Sequence, residues 1–208
     1  MSWVSRDGKI MILARSVRTF AQGSIAVLFA VYLGKLGFSL VQIGTFFSFG
    51  IAGGALFALL VSLIAEKVGR RRLLVLFTLT TAVAATVLVL TDNVLILTAF
   101  AFLGTLSGVG GGGGAQATQP LEQASLVDAA PAHKRTDLFA IYGIASTGAA
   151  ALGALAAGLP NVYQGVFGMS ELLAYKVMFV SFVVLLLIAA LLYGLLSSAV
   201  EVRSAERQ

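Results

Sequence analysis

Residues 62–71 read Ser-Leu-Ile-Ala-Glu-Lys-Val-Gly-Arg-Arg, and they separate two long apolar segments of the chain. Glu66 stands at the end of the first segment, and Gly69 permits a tight turn. Three consecutive arginines, beginning at Arg70, then precede the second segment. Short loops rich in Lys and Arg stay on the cytoplasmic side of a membrane, so this turn predicts both a membrane protein and its orientation.

The composition favours lipid as the solvent for most of the chain. Of the 208 residues, 59% are hydrophobic and 11% are charged, whereas soluble domains keep roughly a quarter of their residues charged. The absence of cysteine and the single histidine, His133, exclude Cys-based and multi-histidine metal sites within the chain, and no cofactor is expected. The net charge of +5 comes from bases at the ends of apolar segments, so nucleic acid is not an expected partner.

Six segments are long and apolar enough to form transmembrane helices, which need about 20 residues each. We predict spans near residues 12–35, 41–65, 73–91, 94–118, 137–158 and 173–197. A cytoplasmic loop at 119–136 divides them into three and three, and it contains a short amphipathic helix that ends before Pro131. The predicted fold is a single all-α integral membrane bundle of six helices, covering residues 1–208.

The basic residues alternate from one side of the predicted membrane to the other. All but two of the 14 Lys and Arg residues fall on one side, the exceptions being Lys35 and Lys176. The positive-inside rule therefore predicts that both termini are cytoplasmic, as an even number of spans also requires. The expected location is the plasma or inner membrane.

The turn at 62–71 resembles the loop between helices two and three of the major facilitator superfamily. That loop reads Gly-x-Leu-Ala-Asp-Arg-x-Gly-Arg-Arg/Lys, and the matching positions here hold identical or chemically similar residues: Ser62, Ile64, Ala65, Glu66, Lys67, Gly69, Arg70 and Arg71. The stretch from Glu122 to Asp128, followed by Pro131 and Lys134-Arg135, is similar to the family's loop between helices four and five. The resemblance covers the whole chain, but only one six-helix half of a twelve-helix transporter.

The resemblance implies a secondary transporter that moves a small solute, not identified by the sequence, by alternating access. It also implies a second six-helix bundle as partner, from the same protein, a partner chain or a second copy of this chain. The alternative is a non-transporting accessory or assembly subunit, because the predicted spans contain no internal acid and ion-coupled transport usually needs one. An enzyme is not expected. Helix four lacks the arginine of many proton-coupled members, and helix five lacks the proline of the antiporter motif.

In the resembling family, the acid at the position of Glu66 meets a helix terminus of the other bundle in the outward-open state. The resemblance therefore assigns a gating latch to the motif Ser62, Glu66, Lys67, Gly69, Arg70 and Arg71. Arg70 and Arg71 are close enough in sequence to pair with Glu66. The alternative is that the basic turn fixes the topology and does nothing more.

Candidate cavity residues come from three spans. Arg15, Arg18 and Gln22 share one helical face by their spacing. We expect Arg15 to snorkel to the headgroups, Arg18 either to snorkel or to line a cavity, and Gln22 to line it, because a glutamine reaches less far. Gln116 is expected at the inner mouth. Tyr142 either faces the cavity or, as we favour, forms a hydrogen bond between helices.

Glycines are concentrated in the fourth and fifth predicted spans. Gly108 and the run 110–114 lie in the fourth, and Gly148 and Gly153 lie in the fifth. In lipid the helix persists despite glycine, because unpaired backbone is costly there. Small residues allow neighbouring helices to approach closely, so we expect these segments to form close helix–helix contacts.

Overall fold

The computed structural model describes residues 3–90 and 114–197. These ranges form the helices α1 (Arg6–Lys35), α2 (Leu40–Val68), α3 (Arg70–Leu90), α4 (Gly114–Leu126), α5 (Arg135–Ala156), α6 (Leu159–Phe167) and α7 (Glu171–Gly194). Two short 3-10 turns, Val127–Ala129 and Ala132–Lys134, connect α4 to α5. No strand occurs in these two ranges, which agrees with the all-α prediction.

Three described stretches are long and apolar enough to cross a membrane, namely Arg6–Lys35, Ala132–Phe167 and Glu171–Gly194. Leu40–Leu56 is a shorter apolar helix. Most of the predicted fourth span, with its glycine run, lies outside the described residues. The arrangement of six spans as three plus three therefore stays a prediction.

Local capping signals explain where several helices begin and end. The Ser5 hydroxyl accepts a hydrogen bond from the Gly8 amide at 3.1 Å, so α1 begins at Arg6, six residues before the predicted span. Gly69 has a φ of 96°, which favours glycine, and α3 begins at the next residue. The tight turn expected at Gly69 is therefore confirmed.

The segment assigned to a loop at 119–136 begins as helix. α4 continues through Leu126, with Pro120 inside the helix. The chain leaves the helical conformation only near Pro131, where the amphipathic helix was expected to have ended. Because the helix continues, one continuous face of α4 is directed toward the interior of the bundle.

α1 is the central helix of the described bundle. It packs mainly against α5 and α7, while α3 packs against α7 and α2 against α4. A Cβ added at Gly153 would lie 2.0 Å from the carbonyl oxygen of Phe20, so glycine is needed where α5 crosses α1. The close packing expected at Gly153 is confirmed. At Gly148 an added Cβ would meet no atom of the described residues within 4 Å, so close packing there stays a prediction.

The buried apolar side chains form two clusters along the bundle. One surrounds the second half of α1 and contains the aromatic residues Phe29, Tyr32, Phe46, Phe179 and Phe182. The other surrounds the first half of α1 and includes Met11, Leu73, Leu74, Phe77, Leu138 and Tyr193. Polar and charged side chains are enclosed beside this second cluster.

Candidate functional site

A carboxylate surrounded by arginines and tyrosines lies inside the bundle. Glu122 of α4 is at the centre, with Arg15 and Arg18 from α1, Tyr142 from α5 and Tyr193 from α7 around it. We call these five residues the Glu122 cluster. Three of its members are fully buried, and the other two are at most 6% exposed.

Each oxygen of the Glu122 carboxylate faces one arginine and one tyrosine. Nη1 of Arg15 lies 3.3 Å from Oε2, and Nη1 of Arg18 lies 3.4 Å from Oε1. The Tyr193 hydroxyl donates to Oε1 at 2.7 Å, and the Tyr142 hydroxyl donates to Oε2. Both oxygens are thus fully engaged, and four helices meet at one side chain.

The arginines make further contacts that hold them in place. Arg18 also donates to the hydroxyl of Thr118, which precedes Glu122 by one turn on the same face of α4. The Arg15 guanidinium lies 5.8 Å from the centre of the Tyr142 ring, within cation–π range. Arg15 contacts Glu122 as an ion pair without hydrogen-bond geometry, and its Nε has no hydrogen-bond partner among the described residues.

The cluster carries an excess of positive charge. With one carboxylate and two guanidinium groups, its formal charge is about +1 in a region closed to water. Removing charges from water costs several kcal/mol per ion unless partners compensate for the loss. Arg18 lies about 18 Å along α1 from Arg6, at a rise of about 1.5 Å per residue. Such a group inside an apolar bundle is costly and marks a functional candidate.

The basic turn after α2 binds the ends of two other helices. Nη1 of Arg70 donates to the carbonyl oxygen of Ala124 at 3.1 Å, in the last turn of α4. A guanidinium nitrogen of Arg71 donates to the carbonyl oxygen of Gly194 at 2.5 Å, at the end of α7. The last carbonyls of a helix lack intrahelical partners and carry partial negative charge, so arginine is stabilising there. The turn therefore joins α3 to α4 and α7.

The predicted gating motif is only partly described. Gly69, Arg70 and Arg71 have the positions given above, while the side chains of Ser62, Glu66 and Lys67 lie outside the described part of the structure, although their backbone belongs to α2. The latch assigned to Glu66 therefore stays a prediction.

The predicted cavity residues have different outcomes. Arg18 and Tyr142 come together on Glu122, and the hydrogen bond between helices favoured for Tyr142 is confirmed. The expectation that Arg15 snorkels is wrong, because its ion pair with Glu122 holds it inside, where it is 6% exposed. Gln22 is half-buried, and its Nε2 has no hydrogen-bond partner among the described residues. The side chain of Gln116 lies outside the described residues.

Sequence reasoning missed the two residues that complete the cluster. Glu122 was assigned to a polar loop, and neither residue was predicted to belong to a site. The spacing of four between Thr118 and Glu122 is a usable signal, because it places both on one helical face. In residues 3–90 and 114–197, no group of three His, Asp or Glu side chains comes together as a metal site.

Comparison with known proteins gives a family assignment. The model of the Major Facilitator Superfamily matches residues 11–208. An uncharacterized membrane protein of Saccharomyces cerevisiae is 25% identical over 199 residues, which cover 95% of this chain and 44% of that relative. The chain thus spans less than half the length of the relative. The resemblance expected from the turn at 62–71 is confirmed, and the chain is a membrane protein that belongs to the major facilitator superfamily, a family of membrane transporters.

Proposed function

We propose that the chain forms one six-helix bundle of a secondary transporter, which moves a small solute by alternating access against a second bundle. The Glu122 cluster carries this proposal. Ionisable side chains inside a membrane bundle are costly, face the bundle interior or a water-filled cavity, and mark solute or ion pathways. The accessory-subunit alternative depended on the lack of an internal acid. Glu122 is an acid enclosed among four helices, so that reason no longer holds.

The contacts of the cluster support movement of the bundle as one body. Glu122 joins α4 to α1, α5 and α7, and the arginines of the basic turn join α3 to the ends of α4 and α7. Rocking of one bundle against another requires that each bundle keep its internal contacts while the interface changes. Polar contacts between helices at one end of the bundle fit this requirement.

One face of α5 supports the presence of a second bundle. It carries small residues that are all exposed and are spaced by four and three, which places them on one side of the helix: Thr147, Ala151 and Ala154. Small residues in membrane helices permit close approach of another helix. We propose that this face meets the second bundle. The yeast relative, of which this chain aligns to 44%, has the length for two bundles.

Uptake into sealed vesicles tests the transport proposal. The protein would be reconstituted and energised with an ion gradient, and the accumulation of labelled sugars, amino acids and organic anions would be measured. We expect gradient-dependent accumulation of one class, abolished by collapse of the gradient. The mass of the native particle would be measured in parallel. A particle holding a single six-helix bundle, with no accumulation of any class, would contradict the proposal.

A further inference from the structure

A groove of about 640 Å³ lies where the start of α3 meets the ends of α2 and α7. Its lining combines two arginines with four apolar side chains and one glycine: Arg71, Arg72, Val68, Val75, Leu76, Leu79 and Gly194. None of the described residues that line it is acidic. We propose that this groove binds an acidic phospholipid, with the phosphate on the arginines and one acyl chain along α3.

The order of residues along α3 matches the order of groups in a phospholipid. Arg71, Arg72, Val75, Leu76 and Leu79 follow helical spacing and share one face. Arg71 and Leu79 are about 12 Å apart along the helix axis, at about 1.5 Å per residue. The groove is therefore basic at its end and apolar over the next two turns, as a charged headgroup followed by an acyl chain requires.

The arginines are placed to receive a phosphate. Arg71 is half-buried, and its bond to the carbonyl oxygen of Gly194 holds the guanidinium at the groove, while Arg72 is exposed. The positive-inside rule predicts that this end faces the cytoplasm. The cytoplasmic leaflet carries the anionic lipids, and basic pockets between helices on that side bind their headgroups.

The apolar wall distinguishes a lipid from a free anion. Leu76 is 55% exposed and Leu79 is 39% exposed, so both offer surface that a small soluble anion would leave uncovered. Inside a membrane such surface contacts hydrocarbon, so it accommodates a ligand that carries an acyl chain and not a water-soluble anion. The proposal therefore concerns a phosphate with an attached chain, and it does not depend on transport.

Native mass spectrometry of the detergent-solubilised protein measures this binding. Dioleoylphosphatidylglycerol is expected to bind more tightly than dioleoylphosphatidylcholine. Arg72→Gln should weaken phosphatidylglycerol binding about fivefold, because one base near the membrane surface contributes about 1 kcal/mol. Leu76→Trp, which fills the groove and keeps its charge, should remove the bound lipid. The control Lys9→Gln removes an exposed base of α1 that does not line the groove, and should leave binding unchanged.

Three results would overturn the proposal. Equal binding of the two lipids would show that charge is not recognised. An equal loss in Lys9→Gln and Arg72→Gln would assign the effect to net charge. If glycerol 3-phosphate competed as effectively as the whole lipid, the acyl chain would contribute nothing, and the groove would be a site for free anions only. Melting temperatures of the variants check that they fold, and Leu79→Trp replaces Leu76→Trp if the latter does not.

Discussion

Replacement of Glu122 by glutamine tests the Glu122 cluster directly. Glutamine keeps the shape of the side chain but removes the charge that compensates Arg15 and Arg18. Its amide NH₂ group also cannot accept a hydrogen bond, so one tyrosine of the cluster loses its acceptor. Breaking a buried ion pair by removal of one partner costs about 3–5 kcal/mol. We expect Glu122→Gln to lower the free energy of unfolding by about this amount, since two buried arginines lose their partner.

A matched control exists at the other end of α1. Lys35 and Glu171 lie 2.9 Å apart, closer than either arginine lies to Glu122, but their side chains are 50% and 48% exposed. Solvent screens an exposed pair and can replace it, so Glu171→Gln should change stability little. Burial, and not the distance between the charges, decides the size of the effect.

Reversible unfolding in mixed micelles, followed by circular dichroism, measures both variants. The expected result is a large decrease in the free energy of unfolding for Glu122→Gln and a small decrease for Glu171→Gln. Losses of equal size, or an unchanged free energy of unfolding in Glu122→Gln, would refute the conclusion that Glu122 compensates two buried arginines.

Three further predictions concern packing, hydrogen bonding and the latch. Gly153→Ala should destabilise the bundle by about 1–3 kcal/mol in the same unfolding assay, because α1 and α5 must separate, whereas Gly148→Ala, with no atom of the described residues within 4 Å of an added Cβ, should not. Tyr193→Phe removes a hydrogen bond to the buried carboxylate and should cost about 1.5–3 kcal/mol; an unchanged stability would show that this bond contributes nothing. Glu66→Ala should impair solute uptake at normal expression, and unchanged uptake would exclude the latch.

The membrane class, the family and the turn could be predicted because each depends on local sequence. Long apolar runs require helices in lipid, and Gly69 with the arginines after it marks a tight basic turn. The structure agrees at Gly69, and the family match agrees with the motif around it. Patterns of this kind are complete within about ten residues, so one sequence is sufficient to read them.

The Glu122 cluster could not be predicted in the same way, because its members come from distant parts of the chain. Arg18 and Glu122 are separated by 104 positions, and Glu122 and Tyr193 by 71. The polar composition around Glu122 is typical of a loop, and only its partners on other helices show that it is inside. Arg15 was misjudged for the same reason, because snorkelling is the expectation for a base without a known partner.

α6 was missed although its signals are present in the sequence. Pro160 occupies the first turn of the helix, where proline is favoured, and Gly168 ends it with a φ of 61°. The helix has 9 residues, too few to cross a membrane, so a search for spans of about 20 residues passed over it.

The central claim is that this bundle works against a second one by alternating access. The chain contains no cysteine, so Ala151→Cys places a single thiol on the exposed small-residue face of α5. Labelling by a membrane-impermeant maleimide would be measured from each side of oriented vesicles, with Val180→Cys, on an exposed position of α7, as the control expected to face lipid. The account predicts labelling of Ala151→Cys from both sides, in proportions that change with the ion gradient, and none for Val180→Cys. Labelling of both variants to the same extent, without dependence on the gradient, would contradict it.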